Sequence, residues 1–505
     1  MSKTDFKAQI TEGYQFGTES IDLGGAMLNG EVATGLTVRI PLKTMNRHGL
    51  IAGATGSGKT KTLQVLAEQL ALKGTPVLLM DIKGDLSGIG VAGEENDKIT
   101  ERHAKIGIPH VISGNTIEFL TLSNQKGARL RATVTEFGPV LFSKILGLND
   151  TQSSVVSVIF KYCDDNGLPL LDLADIKKVL NYFVNEGKDE LKADYGNISP
   201  MTVGTILRKV IELEQQGAAI FFGERSFDVT DLCRFDDNGR GIISIIRLTD
   251  IQDKPKLFST FMLQMLAEIY ATFPEEGDLD QPKLCIFIDE AHLVFSEASK
   301  ALLNQIETII KLIRSKGVGV YFCTQNPQDI PDAVLGQLGM KIQHALRAFT
   351  GKDRQNIRLV AQNYPLTDFY NVENVLTELG IGEAFITVLN EKGIPTPLVQ
   401  TLLRAPNSRM DILNDSEMDD ILRGSKIADK YNEIINRESA FEILTNKING
   451  SETPKQAAKK TDNEPSFMDK AMKNPFVRTA GNTLIRAVTR GLLGALGLGG
   501  KKKIW

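Results

Sequence analysis

Residues 53–60 read GATGSGKT and place glycine, lysine and threonine at the spacing of a phosphate-binding loop. The glycines let the backbone wrap so that several N–H groups point at phosphate oxygens. Lys59 can neutralise the β- and γ-phosphates, and the Thr60 hydroxyl can ligate Mg²⁺. The alternative is a glycine-rich turn without a ligand, but the loop lies between a predicted strand and a predicted helix, which favours ATP and Mg²⁺ binding. The predicted nucleotide-binding residues are Gly53, Ala54, Thr55, Gly56, Ser57, Gly58, Lys59, Thr60 and Lys61.

Two adjacent carboxylates, Asp289 and Glu290, follow the apolar run LCIFI. Such a run predicts a buried strand, and in P-loop enzymes the carboxyl end of a neighbouring strand lies beside the phosphates. We expect Asp289 to hold the Mg²⁺ shell through water and Glu290 to orient and deprotonate the attacking water. A strand that simply ends in a polar turn is the alternative, and the P-loop upstream favours the catalytic interpretation.

A second apolar run, VGVYFC, ends in Thr324 and Gln325. A glutamine at this place can hydrogen-bond both the γ-phosphate and the attacking water, which would couple the nucleotide state to movement. The alternative is an amide that closes the loop before Pro327. We predict that Gln325 is a catalytic sensor.

Arg314 ends a predicted helix in the segment KLIRSKG. It is either a solvated cation that interacts favourably with the helix dipole or an arginine finger that reaches the ATP site of the next subunit. Arg347 and Arg354 compete for the finger role.

Asp81, Lys83 and Asp85 follow another predicted strand, close to the expected nucleotide. They either shape the site or solvate a loop, and the sequence does not separate these alternatives. His292 lies three residues past Asp289, where a structural histidine is favoured over one that acts in the site.

Strands and helices alternate around these residues. The run HGLIAGATGSGKTKTLQVLAEQLALKG predicts strand, loop and helix, and TPVLLMDIKGDLSG adds a strand, which makes a βαβ unit of a parallel sheet. Further strands are predicted in GIISIIRL, LCIFIDEAHLVF, VGVYFCTQ and KIQHALRAF. The predicted fold is therefore α/β, with a largely parallel sheet covered by helices on both faces.

The predicted segments are 1–45 (short and β-rich), 46–135 (first part of the P-loop ATPase core), 136–216 (helical insertion), 217–405 (second part of the core), 406–450 (helical), 451–474 (flexible linker) and 475–505 (basic amphipathic tail).

The 505 residues are 42% hydrophobic and 24% charged, which is ordinary globular composition. The four cysteines form no CxxC pair, so they predict reduced structural thiols and a cytoplasmic protein. The amino terminus lacks the apolar stretch of a signal peptide, and no apolar run reaches the roughly 18 residues of a spanning helix. We expect no integral membrane segment.

The net charge of −4 is unevenly distributed. From Thr453 onward there are 11 Lys and Arg against 3 Asp and Glu, a net of +8, which leaves −12 on the preceding residues. Any polyanion-binding surface on the body must therefore be local, such as a pore or a cleft. Residues 475–498 place an apolar stripe beside three arginines. We favour docking of this helix on its own body or a neighbouring subunit, and peripheral membrane or nucleic-acid contact are the alternatives.

The combination of motifs resembles the HerA–FtsK superfamily of P-loop ATPases, and more narrowly its bacterial HerA-like (YjgR-like) branch. The resemblance covers residues 40–405 and lies in RHGLIAGATGSGKTKTLQ, VLLMDIKGDLSG, TEFGPVLFSKILGLNDTQ, LCIFIDEAHLVF and RSKGVGVYFCTQNPQDIP. It implies a RecA-like core, a homo-hexameric ring, ATP sites at subunit boundaries and DNA in the central pore. It also supports Gln325 as the sensor and Arg314 as the finger. The first 45 residues are too few for the β-barrel with which archaeal members dock a nuclease.

The sequence therefore predicts an ATP-hydrolysing ring motor, a DNA translocase or helicase. One alternative is a secretion-type ATPase that moves protein. Another is a nucleotide-switched binding module with little turnover, which Glu290 disfavours because a pure switch does not need a carboxylate to activate water.

Overall fold

The computed structural model of the protein describes residues 3–450, apart from residue 278, residues 296–299, residue 434 and residue 436. The predicted linker (451–474) and basic tail (475–505) lie outside the described residues.

Twelve strands of the described chain form one sheet. They are β1 (Ser20–Leu28), β2 (Glu31–Pro41), β3 (Gly49–Ala52), β4 (Val77–Asp81), β5 (Ile117–Thr121), β6 (Ala128–Arg129), β7 (Ile243–Arg247), β8 (Leu284–Ile288), β9 (Val318–Thr324), β10 (Met340–Gln343), β11 (Glu383–Thr387) and β12 (Val399–Leu403). Their order is β2-β1-β12-β11-β10-β3-β9-β8-β4-β7-β5-β6. From β10 to β6 all neighbours are parallel. The other four strands extend the sheet in antiparallel pairing, and the predicted α/β fold with a largely parallel sheet is confirmed.

Helices pack on both faces of this sheet. They are α1 (Lys3–Tyr14), α2 (Lys59–Leu72), α3 (Asp97–Ile106), α4 (Val134–Ile145), α5 (Asp150–Asp165), α6 (Leu173–Val184), α7 (Lys188–Asp194), α8 (Pro200–Gln215), α9 (Pro255–Thr272), α10 (His292–Phe295), α11 (Lys300–Ile313), α12 (Asp332–Leu335), α13 (Gly351–Ala361), α14 (Val372–Glu378), α15 (Asp415–Arg423), α16 (Lys426–Asn432) and α17 (Ala440–Gly450).

The central strands are buried on both sides because apolar clusters cover both faces of the sheet. Successive side chains of a strand point to opposite faces. In β4, Leu78 and Met80 belong to one apolar cluster, whereas Val77 and Leu79 belong to the other. Apolar runs without alternation, such as VLLM, are the expected result of two covered faces.

The amino-terminal segment joins this sheet through β1 and β2. It begins with α1, a helix that the sequence analysis did not predict. Phe6, Ile10 and Tyr14 are buried at a spacing of four residues, which places them on one helical face. The Tyr14 hydroxyl donates to Ile386 O at 3.0 Å and to Pro397 O at 2.8 Å. Helix α1 is therefore held against the antiparallel end of the sheet.

Helices α4 to α8 form a continuous helical region between β6 and β7. After β12 the chain returns across the molecule. Helix α16 packs on β6 and α17 packs on α6, where Phe441 N donates to Asp175 Oδ1 at 2.9 Å. The carboxyl-terminal helices thus connect the sheet with the helical region. Among the described residues, no helix has the length and apolar character needed to cross a membrane.

Candidate functional site

Four neighbouring parallel strands bring the predicted site residues to one edge of the sheet. β3, β9, β8 and β4 lie side by side in that order. Because the carboxyl ends of parallel strands meet at one edge, the segments that follow these strands converge. They are residues 53–60 after β3, 324–325 at the end of β9, 289–290 after β8 and 81–85 at the end of β4.

The glycine loop turns sharply away from β3. Gly53, with φ of 151°, donates its N–H to Thr324 O at 3.3 Å. A Cβ atom at this glycine would lie 2.5 Å from His344 Cβ, so no larger residue fits without a shift. Gly58 caps the start of α2. Its φ of 111° is a backbone conformation that residues with a side chain rarely adopt.

Lys59 and Thr60 begin α2, as the loop motif predicts. The Lys59 side chain is buried, and its ammonium donates to Gly53 O at 2.7 Å and to Ala54 O at 3.0 Å. Burial lowers the pKa of Lys59. The Ser57 hydroxyl donates to Ala54 O at 2.7 Å. Thr55 and Gly56 are exposed at the loop tip, and Lys61 donates to Gln64 Oε1 at 3.3 Å.

His344 packs against the glycine loop from the end of the adjacent strand, a role that the sequence did not predict. It follows β10, which pairs with β3, and its N–H donates to Ala52 O at 2.7 Å. Its ring is fully buried, with Nε2 2.9 Å from Thr62 Oγ1 on α2. The histidine therefore connects the strand before the loop with the helix after it.

Burial and the charge of Lys59 lower the pKa of His344 to about 4, below the value of about 6.5 expected for an unfolded chain. Between these values the unfolded state takes up a proton that the folded state excludes. We therefore expect the stabilising effect of neutral His344 to be present above pH 6.5 and to be lost as the pH falls toward 4, by up to about 1.4 kcal/mol per pH unit. Urea unfolding of the wild type and of His344→Gln between pH 7 and 5 measures this contribution. The matched control is His110→Gln, since His110 is only partly buried, and identical pH slopes in all three proteins would contradict the expectation.

Asp289 and Glu290 lie beside the loop and are both buried. Burial raises the pKa of Asp289, while the charge of Lys83 opposes this effect. Asp289 Oδ2 has no hydrogen-bond partner in the part of the chain that the structure describes. A buried, unpartnered carboxylate oxygen at the edge of the sheet that carries the glycine loop fits a cation that prefers oxygen ligands, such as Mg²⁺. No group of three or more His, Cys, Asp or Glu side chains that could hold a metal ion occurs among the described residues.

The loop after β4 lies directly beside this pair. Asp81 accepts hydrogen bonds from Gly84 N at 2.7 Å and from Leu86 N at 3.2 Å. Burial and the charge of Asp85 raise the pKa of Asp81 to about 7. Lys83 forms an ion pair with Glu290 Oε1. In this structure Asp81 therefore shapes the loop, and Lys83 belongs to the site.

Glu290 has a second neighbour in His292, whose Nδ1 lies 3.2 Å from Glu290 Oε2. The structure thus brings His292 into the site, although the sequence favoured a purely structural role. Glu290 itself has φ of 45°, in the left-handed region that is uncommon for residues other than glycine. A residue held in this conformation beside a predicted catalytic loop fits a functional role.

Gln325 follows β9, which lies between the strands that carry the glycine loop and the carboxylates. Its side chain is exposed at the site edge of the sheet. The preceding Thr324 is fixed, because its hydroxyl donates to Asp329 Oδ2 at 2.9 Å. The position of Gln325 is compatible with a contact to both nucleotide and water.

Arg314 lies at the opposite edge of the sheet. It begins the short turn Arg314–Lys316, just before β9 starts. Because β9 has seven residues, about 20 Å separates this arginine from the glycine loop. Arg314 is exposed, and at this distance its side chain does not reach the glycine loop of its own subunit.

The two competing arginines lie after β10 and are also exposed. Arg347 donates to Thr377 O at 2.7 Å, and Arg354 lies on α13. Arg347 follows the carboxyl end of β10, at the same edge of the sheet as the glycine loop. Both arginines stay alternatives to Arg314 for the finger role.

The chain matches one protein family over most of its length. The family model for helicase HerA-like C-terminal domains matches residues 27–469. The DNA double-strand break repair helicase HerA of Sulfolobus acidocaldarius is 22% identical over 389 residues, which cover 74% of this chain and 68% of that protein. Its counterpart in Saccharolobus solfataricus is 22% identical over 379 residues, which cover 72% and 66%. The chain thus spans about two thirds of the length of these relatives.

Among solved structures, the bacterial conjugative coupling protein TrwBdeltaN70 in its unbound monoclinic form is similar, with a TM-score of 0.50 and 14% identity. The match covers 81% of this chain and 94% of that protein. At this identity the likeness concerns the fold alone. It agrees with the RecA-like core that the sequence resemblance implied.

Proposed function

We propose a function from one premise, which is that the chain belongs to the helicase HerA-like C-terminal family. The protein is an ATP-hydrolysing motor that moves along DNA as a translocase or helicase. The observation that carries this proposal is the convergence of the glycine loop, Asp289, Glu290 and Gln325 at one edge of the sheet. Relatives described as DNA repair helicases support DNA as the substrate.

Each part of the site has a task in this mechanism. The loop N–H groups and Lys59 bind the phosphates of ATP, and the N-terminus of α2 adds its positive dipole end. Thr60, and Asp289 through water, would hold Mg²⁺, which would neutralise charge on the phosphates when it is bound. Glu290 takes the proton of the attacking water, and Gln325 orients that water.

The position of Arg314 supports a ring. An exposed arginine about 20 Å from its own glycine loop reaches a nucleotide only across a subunit boundary. In a closed ring of identical subunits, each boundary would combine the loop of one subunit with the Arg314 of its neighbour. A homo-hexamer with six such boundaries is the arrangement that we propose.

ATPase measurements with and without DNA test the function. We expect the purified protein to hydrolyse ATP and expect single- or double-stranded DNA to raise the rate. Hydrolysis that DNA leaves unchanged would instead favour the motor that moves protein. Tight ATP binding with negligible turnover under every condition would favour the nucleotide-switched module and contradict the proposal.

A further inference from the structure

Lys83 pairs with the carboxylate that the proposed mechanism assigns to water activation. Its ammonium contacts Glu290 Oε1, while Oε2 of the same carboxylate lies 3.2 Å from His292 Nδ1. The Glu290 side chain is only 7% exposed, whereas that of Lys83 is 38% exposed. Both oxygens that could accept a hydrogen bond from the attacking water thus face groups of the protein. In the observed arrangement, Lys83 and His292 therefore occupy the carboxylate that would activate the water.

The backbone that carries Lys83 is fixed. On one side, Ile82 is buried and its carbonyl accepts a hydrogen bond from Gln252 Nε2 at 2.6 Å. On the other side, Gly84 N donates to Asp81 Oδ1 at 2.7 Å. The lysine side chain, with its four methylene groups, is therefore the part of this loop that can change its partner.

Lys83 also lies close to the phosphate-binding lysine. Burial lowers the pKa of Lys59, the charge of Lys83 lowers it further, and the charge of Glu290 opposes these effects. β4 and β8 are adjacent and parallel, so Lys83 and Glu290 follow neighbouring strand ends. Two ammonium groups and two carboxylates, the second of them Asp289, thus share one small region. A phosphate that enters it competes with the carboxylates for the ammonium groups.

We propose that Lys83 exchanges its partner between Glu290 and the terminal phosphate of ATP, so that ATP frees Glu290 for the attacking water whereas ADP does not. This inference rests on the proposed function. ADP lacks the terminal phosphate and leaves the ion pair in place. Lys83 acts through Glu290 and is a positioning residue. The exchange makes hydrolysis conditional on a complete triphosphate, in addition to any contact from Gln325.

Equilibrium binding tests this exchange without hydrolysis. The measured quantity is the affinity for a non-hydrolysable ATP analogue divided by the affinity for ADP, in the full chain with Mg²⁺. We expect Lys83→Met to lower this ratio about tenfold, as the loss of one charge-assisted hydrogen bond predicts. Lys83→Arg should restore it to within about threefold, because the charge is retained.

Glu290→Gln gives the reciprocal result. Removing the competing carboxylate charge should raise the same ratio about three- to tenfold, since Lys83 no longer leaves an ion pair to reach the phosphate. In the Lys83→Met background the Glu290→Gln change should alter the ratio less than about twofold, because the interaction it releases is already absent.

The matched control is Lys177→Met. Lys177 forms a half-buried ion pair with Glu214 at 2.7 Å between α6 and α8, in the helical region that separates β6 from β7 along the chain. It should leave the ratio unchanged. Equal weakening of both nucleotides by Lys83→Met, or no change in either, would overturn the exchange. Failure of the proposed function has a different signature, because it would appear as hydrolysis that DNA leaves unchanged or as ATP binding without turnover, and neither outcome alters the binding ratio.

Discussion

Replacing Glu290 with glutamine is expected to leave ATP bound and to slow hydrolysis by roughly 10²- to 10⁴-fold, the usual contribution of a positioned general base. The amide keeps the size of the side chain but cannot take a proton from water. Glu290 acts during the chemical step, so its loss should reduce the turnover rate without weakening ATP binding. Single-turnover hydrolysis and equilibrium binding together measure the two effects.

Lys59→Ala provides the contrasting result. Lys59 neutralises phosphate charge in the bound ground state, so this variant should lose nucleotide binding itself. Glu214→Gln is the control for a glutamate outside the site, because Glu214 pairs with Lys177 on neighbouring helices. Turnover at the wild-type rate in Glu290→Gln would show that another group activates the water.

Arg314→Ala is expected to fold and bind ATP but to lose most hydrolysis. The side chain is exposed, so its removal should cost little stability. An arginine that stabilises the transferring phosphoryl group from a neighbouring subunit is typically worth about 10³-fold or more in rate. The measurement is the ATPase rate at saturating ATP, with Arg358→Ala as a control, since Arg358 is a similarly exposed arginine on α13.

Mixing two inactive variants tests whether Arg314 acts between subunits. Arg314→Ala keeps its own glycine loop, and Lys59→Ala keeps its own arginine. A boundary that combines these two intact halves should hydrolyse ATP, so mixed rings should recover part of the activity. No recovery at any ratio, in rings that demonstrably exchange subunits, would count against a role for Arg314 in the neighbouring site and would favour Arg347 or Arg354.

The sequence predicted the parts of the fold that depend on local patterns. LCIFI and VGVYFC are apolar throughout and form β8 and β9, because both faces of these strands are covered. The loop at residues 53–60 is recognisable because wrapping the backbone around phosphates requires glycines at fixed positions. The helical character of 136–216 follows from apolar residues at helical spacing, and the structure has α4 to α8 there.

Features that depend on which strands become neighbours were not predictable from local patterns. Lys83 meets Glu290 because β4 lies next to β8, although about 200 residues separate them. His344 supports the glycine loop because β10 pairs with β3 across an even longer separation. β11 and β12 were missed because EAFIT and VQTLL are short and gain their stability from antiparallel partners elsewhere in the chain.

The most direct test of the central claim is whether ATP hydrolysis moves this protein along DNA. A short third strand bound to a DNA duplex reports such movement, because a motor that passes along the duplex displaces it. We expect displacement by the wild-type protein with ATP and Mg²⁺, and none with a non-hydrolysable analogue or with Glu290→Gln. ATP hydrolysis without any displacement, on duplexes that the protein demonstrably binds, would contradict the account.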